Sequence, residues 1–509
     1  MHLLAQAAEP IPVPRVDWRA IAPELALAGA GVVLLMVVAF APGARRGLLA
    51  GLTLAGLAVA AALTAWNWDL QRVAFECAVS LDGITRYARL VLLAVGALAT
   101  LMAAQGGGGP EEEPAREGEA PPEVFPLLLF ALTGMVLLAA ASDLLVVFIA
   151  LEILSLSLYV MAGATRRMAA QEAAMKYFLL GAFSSAFLLY GIALCYGATG
   201  TTNLLGIARA SIDPTGDGTL LLAGIGLLAV GFLFKVAAVP FHMWTPDVYQ
   251  GAPTPVTAFM AAGTKAAGFA VFLRVFAGAL GGMVVSWRPV IAAVAVVTML
   301  VGAALAVVQT DLKRMLAYSS ISHAGYLLVG VAAAATVPAG ISASMFYLLA
   351  YAFMVMGAFM VVQYASRLGP PDPEPGEVGE RSNLDDYRGF ARRHPWAGAL
   401  LALFMLALTG IPPLSGFWAK YYVFLAGIEA GLTWLVVVAV VSSVISAFFY
   451  LRVLVVAYLQ EPAAEAETPT HRAPALGLAL GLAGVLTVAI GLAPEVLVSA
   501  ARTAERILG

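Results

Sequence analysis

The chain has 509 residues, of which 61% are hydrophobic and 12% are charged, and its formal net charge is −3. This composition indicates a polytopic membrane protein and excludes a soluble enzyme. The small net charge gives no reason to expect nucleic acid or an acidic macromolecule as a partner. Cys77 and Cys195 are the 2 cysteines, too few and too far apart for an iron–sulfur or zinc site.

Apolar runs of about 20 residues, each long enough to cross a bilayer as a helix, follow one another along the chain. The first begins near Ile21, and the residues before it lack the basic-then-apolar order of a cleaved signal peptide. Only Ser142 and Asp143 separate two of the predicted helices. The fourteen predicted spans are 21–41, 47–66, 82–104, 124–141, 144–163, 172–197, 219–241, 256–280, 289–309, 313–335, 340–365, 396–426, 432–458 and 475–498.

The charges of the connecting segments predict the orientation. The longest polar segments, 105–123 and 366–395, have compositions typical of flexible surface connectors. Most basic loop residues fall on one side when the spans alternate, so the positive-inside rule predicts both termini outside the cytoplasm. The predicted cytoplasmic set is Arg45, Arg46, Arg166, Arg167, Lys313, Arg314, Arg367, Arg392, Arg393 and Arg472, against Arg15, Arg19, Arg72, Arg209, Arg288, Arg502 and Arg506 opposite.

A faint internal repeat is visible at an offset of 170 residues, because 175–183 and 345–353 share five of nine residues. A nearly equal offset carries Pro240 close to Pro412. Five spans separate the equivalent helices, and an odd number requires the second copy to be inverted, as in many transporters. We therefore predict an all-α integral membrane fold of about fourteen transmembrane helices, with two inverted five-helix repeats that each contain a proline-broken helix. The predicted division is an N-terminal three-helix region 1–122, repeats 123–280 and 287–459, and a C-terminal helix 460–509.

The distribution of basic residues indicates proton handling. Only five lysines occur, and Lys176, Lys235, Lys265 and Lys420 lie inside apolar stretches, whereas the 23 arginines lie mostly in loops or at span ends. Arginine stays protonated in any protein setting, but a buried lysine can release its proton. An ionisable group inside the membrane is costly and marks a functional site by default.

Two of the predicted spans are broken by proline. Lys235 lies five residues before Pro240, whose ring clashes with the carbonyl of Val236. Such a break exposes backbone carbonyls that water or a lysine can use. The second break, in 408–420, contains two glycines and two prolines, and Lys420 follows by about two turns. A packing kink with a snorkelling lysine is the alternative, but Lys235 is too deep for easy snorkelling, so we favour function.

Two further charged residues are predicted to work with these breaks. Lys265 lies ten residues into the span that begins at Val256, near the midplane, with no acid within one helical turn. Glu152 is the only carboxylate well inside an apolar run of the sequence. A lysine beside it would keep both groups charged, so we predict a Glu152–Lys235 pair that acts as a switch, because burying such a pair adds little stability. The alternative is a protonated carboxyl group that is hydrogen-bonded across helices.

Other residues are open to two interpretations. Lys176 has an acid one helical turn before it, so an ordinary surface ion pair fits as well as a relay role. His323 lies mid-span among serines and tyrosines and is predicted to relay protons, with a satisfied core histidine as the alternative. His242, just beyond Pro240, could pass protons toward the cytoplasm or cap a loop. Lys313 and Arg314 fit interfacial anchors.

The chain shows no glycine-rich dinucleotide turn, cysteine cluster or P-loop, so a dehydrogenase or an ATP-driven pump is disfavoured. It resembles the antiporter-like membrane subunits of respiratory complex I (NADH-quinone oxidoreductase), and among them subunit N. The long proline-rich block is highly specific, and the run around Lys176 points to subunit N. The matching stretches are 143–159, 176–181, 234–255 and 312–326.

The resemblance implies a multi-pass subunit of the bacterial inner membrane that moves protons. It implies no cofactor in this chain, with FMN, iron–sulfur clusters and the quinone site in partner subunits of the complex. The implied roles are Glu152 and Lys235 as the charged pair of the first half-channel, Lys265 as the central relay, Lys420 as the exit-side group, and His242, Lys176 and His323 as connecting groups.

Two other functions remain open at the level of the sequence. One is a subunit of a multisubunit cation/proton antiporter, which uses the same charged helices. The other is a scaffold of a membrane complex that pumps nothing. The segments 105–123 and 366–395 depart from the family pattern, so their contacts are left open.

Overall fold

A computed structural model of the chain describes residues 16–41, 43–104, 120–165, 167–212, 218–368, 381–462 and 473–506. Among these residues, 12 helices are long and apolar enough to cross a membrane. Two shorter apolar helices, Val124–Ala140 and Pro395–Thr409, lie within two other predicted spans. The all-helical membrane fold is therefore confirmed. The count of fourteen and the inverted repeats stay predictions, and most of the two long polar segments lies outside the described residues.

One small hairpin joins α2 to α3. The strands are β1 (Arg72–Ala74) and β2 (Val79–Leu81), which pair antiparallel. The helices are α1 (Ala22–Phe40), α2 (Arg46–Trp66), α3 (Gly83–Ala103), α4 (Val124–Ala140), α5 (Leu144–Ala162), α6 (Met168–Thr199), α7 (Leu204–Ile212), α8 (Gly218–Lys235), α9 (Trp244–Gly251), α10 (Thr254–Phe259), α11 (Lys265–Phe272), α12 (Val284–Val307), α13 (Leu312–Ala334), α14 (Ala339–Ala365), α15 (Phe390–Arg393), α16 (Pro395–Thr409), α17 (Ser415–Glu429), α18 (Thr433–Leu459), α19 (Pro474–Leu492) and α20 (Pro494–Arg502).

The structure contains the predicted short break between α4 and α5. Asp143 is the N-cap of α5, and its carboxylate accepts a hydrogen bond from the backbone N–H of Leu145 at 2.8 Å. Its second oxygen accepts from the Thr202 hydroxyl at 2.7 Å. An aspartate at this position satisfies one of the free N–H groups of the first turn, so three residues suffice to end one helix and start the next.

The core of the molecule lies around three long helical segments. The span Thr254–Ala279 is 100% buried, and α13 and α14 are each 94% buried, whereas α1 is only 28% buried. The first of these includes two π-helical stretches, Met260–Thr264 and Leu273–Ala279, on either side of α11. Lys265 and His323 therefore lie in helices that protein surrounds on every side.

Both proline-broken helices are present. α8 ends at Lys235, five residues before Pro240, although the sequence predicted a span to 241. α16 ends at Thr409 and α17 begins at Ser415, so the predicted span 396–426 is divided around Pro412 and Pro413. Proline removes a hydrogen bond and displaces the carbonyl four residues earlier, which explains why each helix stops a turn before the ring.

Two buried ion pairs join helices that are far apart in sequence. Arg274 holds Asp82 in a bidentate contact, with Nη1–Oδ2 and Nη2–Oδ1 distances of 2.6 and 2.8 Å. Arg89 contacts Glu24 at 2.6 Å. Both arginines are at most 1% exposed. These two arginines are exceptions to the general placement of arginine in loops and at span ends, and each has a carboxylate partner on another segment.

Candidate functional site

The first helix break brings two lysines together. Lys235 is the last residue of α8, and Lys265 reaches the next residue, donating from Nζ to the carbonyl oxygen of Val236 at 3.0 Å. Val236 is four residues before Pro240, so this is the carbonyl that the proline leaves without its helical partner. The sequence predicted that a lysine could donate a hydrogen bond to a carbonyl freed at this break, and Lys265 is that lysine.

The second break repeats this arrangement. Lys420 donates from Nζ to the carbonyl oxygen of Thr409 at 2.7 Å and to the Ser443 hydroxyl at 2.8 Å. Thr409 is four residues before Pro413. Each broken helix therefore carries a buried lysine on the carbonyl that its proline frees, and a charged donor makes such a hydrogen bond stronger than a neutral one.

Close approach between the two halves of the second broken helix depends on Gly416. A Cβ added there would lie 1.8 Å from the carbonyl oxygen of Ala407, which is backbone and cannot move aside. We expect Gly416→Ala to push α17 from α16 and lower the thermal stability of the purified complex by about 1–3 kcal/mol. Gly481→Ala on α19, where nothing lies within 4 Å, is the matched control and should leave stability unchanged. Equal melting temperatures for both variants would contradict this packing.

Glu152 and Lys235, the predicted charged pair, make no direct contact. Lys235 donates to the Ser155 hydroxyl at 2.9 Å and to the Tyr177 hydroxyl at 3.3 Å. Glu152 instead accepts a hydrogen bond from Ser185 on α6. Between these two described side chains there is no contact within the 4.0 Å limit of an ion pair. The two groups therefore interact without touching, each hydrogen-bonded to a serine, and the charged pair stays a prediction.

Lys176 lies apart from the buried lysines. Its side chain is 43% exposed and forms ion pairs with Glu172 at 2.7 Å and Asp247 at 2.9 Å. Asp247 also pairs with Arg314 at 2.7 Å. Burial would raise the pKa of the Asp247 carboxyl, but the hydrogen bonds and charges of Lys176 and Arg314 lower it below its usual value. This geometry favours the surface ion pair among the two interpretations of Lys176.

Lys313 differs from Lys176 in its burial. It is fully buried and donates to the carbonyl oxygen of Ala252 at 2.7 Å. An interfacial anchor reaches toward solvent, so that interpretation is wrong for Lys313, whereas the partly exposed Arg314 is compatible with it. The N-terminal turn of α13 packs against α9 and the turn that follows it, which buries Lys313 beside the Ala252 carbonyl.

His323 is buried with both ring nitrogens bonded. Nδ1 lies 2.7 Å from the Tyr347 hydroxyl and Nε2 lies 3.1 Å from the Tyr450 hydroxyl. Tyr450 is also hydrogen-bonded to Ser319. The histidine is thus both satisfied and part of a chain of hydroxyl groups, the arrangement through which protons can be passed.

His242 lies half-buried, two residues beyond Pro240. Its Nδ1 is buried and has no hydrogen-bond partner. The structure brings none of the described lysines into hydrogen-bond contact with it, so its connecting role stays a prediction.

A polar stripe on α18 was missed by sequence reasoning. Ser442, Ser446 and Tyr450 recur every four residues in an otherwise apolar helix and face the core. Ser442 is 3.2 Å from the hydroxyl of Tyr326, and the neighbouring Ser443 binds Lys420. The spacing is the signal that could have found them, because residues four apart share one helix face.

The site as a whole comprises buried lysines at two helix breaks and a buried set of hydrogen-bonded serine, tyrosine and histidine side chains. Among the described residues, no group of three or more His, Cys, Asp and Glu side chains is placed to hold a metal ion. Titratable groups of this kind inside membrane-spanning helices define a protein that carries protons or cations across a membrane.

Comparison with known proteins places the chain within that class. The family model described as NADH:quinone oxidoreductase/Mrp antiporter, transmembrane, matches residues 141–446. This is more than half of the chain, and the chain belongs to this family.

Relatives that align with most of the chain are similar to it in sequence and in structure. NADH-quinone oxidoreductase subunit N of Acidothermus cellulolyticus is 44% identical over 505 residues, covering 95% of each chain. A chain of respiratory complex I from Thermus thermophilus, solved with bound aureothin, is 35% identical with a TM-score of 0.78, covering 94% of this chain and 99% of that one. A chain of the Mrp complex from Dietzia sp. is 25% identical with a TM-score of 0.79, covering 96% and 97%. The resemblance predicted from the sequence is confirmed.

Proposed function

We propose that this chain is subunit N of a bacterial NADH-quinone oxidoreductase and translocates protons while quinone is reduced in other subunits. The observation that carries the proposal is the repeated geometry at the two breaks, where Lys265 and Lys420 each donate to a carbonyl freed by proline. Its partners would be the other membrane subunits and a peripheral arm that holds FMN, iron–sulfur clusters and the quinone site.

The order of the groups suggests a path. Lys265 binds the residue that directly follows Lys235, at the end of α8. His323 is hydrogen-bonded to Tyr450 of the α18 stripe, and Ser443, next to Ser442 of that stripe, binds Lys420. Protons would pass from Glu152 and Lys235 through Lys265 and His323 to Lys420. Each proton transfer changes the charge near the next lysine. Quinone reduction in another subunit could therefore alter the proton affinities along the path by changing the charge at one end of it.

We extend the proposal to orientation and repeats. The end of the molecule that holds Lys176, Asp247 and Arg314 would face the cytoplasm, with both termini on the opposite side. The repeats would be 123–280 and 287–459, because each contains one proline break closed by a lysine.

A multisubunit cation/proton antiporter is the second candidate, because the Dietzia Mrp chain shares the fold. The 44% identity to a subunit N, against 25% to the Mrp chain, favours the oxidoreductase. Purifying a tagged chain from its native membrane separates the two. We expect co-purifying FMN and iron–sulfur proteins and NADH-dependent quinone reduction. A complex without them that exchanges Na⁺ for H⁺ would overturn the proposal.

A further inference from the structure

We infer that Ser155 and Ser185 are proton-relay residues that connect Glu152 with Lys235 across a small polar cleft. The inference rests on the proposed function and adds residues to its first step. It starts from the separation of the two charged groups, since Glu152 and Lys235 make no direct contact and yet each binds a serine hydroxyl.

The cleft lies between α5, α6 and α8. It has room for roughly one ordered water. Ser155, Ser184, Ser185 and Lys235 all line it. A water needs two to four polar partners to be held in a buried site, and these four groups provide them. Water in the cleft therefore completes a line of hydrogen bonds from the ammonium to the carboxyl group.

On one wall of the cleft, a glycine of α6 allows a tyrosine of α5 to pack directly against the helix backbone. A Cβ added to Gly181 would lie 1.9 Å from the Tyr159 hydroxyl, so glycine lets this phenol lie against the α6 backbone. The Tyr159 ring meets Tyr177 edge to face at 4.7 Å, and the Tyr177 hydroxyl accepts a hydrogen bond from Lys235. This aromatic wall holds Lys235 toward Ser155 and keeps the cleft narrow.

The proton transfer balances without any other reactant. One N–H bond of the Lys235 ammonium breaks, and its proton reaches the cleft water through the Ser155 hydroxyl. The water passes a proton through the Ser185 hydroxyl to Glu152, where one O–H bond forms. Ser155 donates to the Leu151 carbonyl at 2.5 Å in the resting geometry, so it must rotate away to complete the transfer. The products are a neutral amine and a neutral carboxyl group, and the reverse steps restore both charges.

The test uses the whole complex in proteoliposomes, with proton uptake and quinone reduction measured together. We expect Ser155→Ala and Ser185→Ala to slow proton translocation about tenfold each. Ser185→Thr, which keeps the hydroxyl, should restore it. Ser157→Ala is the matched control, because Ser157 lies on the same helix and bonds only the Ile153 carbonyl at 2.9 Å. A larger solvent isotope effect in the alanine variants would show that a proton step, and not packing, has slowed.

The outcomes separate this inference from the proposed function. Lys235→Ala is measured beside the serine variants. If Lys235→Ala stops translocation while both serine variants match Ser157→Ala, the relay is overturned and the proposed function stands. Normal translocation in Lys235→Ala would overturn the proposed role of the site itself. Should Ser155→Ala fail to assemble, Ser185→Ala and its threonine rescue decide alone, because Ser185 lies at the half-buried edge of the cleft.

Discussion

Replacing Lys420 with methionine is expected to lower proton translocation by the assembled complex about a hundredfold. The variant removes a titratable group from the proposed path and leaves the Thr409 carbonyl without the donor that lies 2.7 Å away. An unsatisfied buried carbonyl costs about 1–3 kcal/mol, so the complex should still assemble but melt at a lower temperature. Proton uptake in proteoliposomes, normalised to assembled complex, measures the effect.

Lys420→Arg separates the two roles of the residue. Arginine supplies a charged donor for Thr409 but does not release a proton in a protein. We therefore expect the arginine variant to recover thermal stability but not proton translocation. Recovery of translocation by arginine would mean that Lys420 acts only as a helix cap, which contradicts the proposed path.

The second large effect is on stability. Arg274→Met leaves the Asp82 carboxylate buried without its bidentate partner, and breaking such a pair costs about 3–5 kcal/mol. We expect the variant complex to assemble poorly or to melt many degrees lower. Thermal denaturation of the purified complex, followed by near-ultraviolet circular dichroism, measures the loss.

A double variant tests whether the loss comes from the unpaired charge. Arg274→Met combined with Asp82→Leu removes both charges, so it should melt closer to the parent than Arg274→Met alone. Arg209→Met on the exposed face of α7 is the control, with an expected effect within about 0.5 kcal/mol. An Arg274→Met complex as stable as this control would show that the Arg274–Asp82 ion pair does not hold the start of α3 against the span Thr254–Ala279.

Much of the site follows from local rules that the sequence contains. Pro240 identifies the Val236 carbonyl as the group left free, and the apolar run around Lys265 places that lysine at the same depth. Asp143 marks the start of α5 because aspartate is a good N-cap. These rules need only a few neighbouring residues, so they hold before any tertiary structure is known.

The rest depends on which helices are neighbours. Arg274 and Asp82 are 192 residues apart, and nothing local shows that they meet. The burial of Lys313 could not be predicted for the same reason, since burial of a helix end depends on what packs over it. The serines and the tyrosine that bind Glu152 and Lys235 belong in part to adjacent helices and could not be assigned from the local sequence.

The measurement closest to the central proposal is proton translocation per NADH oxidised by complexes carrying Lys235→Ala or Lys265→Ala. Both lysines are buried and lie at the first helix break. We predict that each complex assembles, translocates fewer protons and reduces quinone more slowly. Parental translocation in both assembled variants would contradict a lysine path and leave the chain a scaffold.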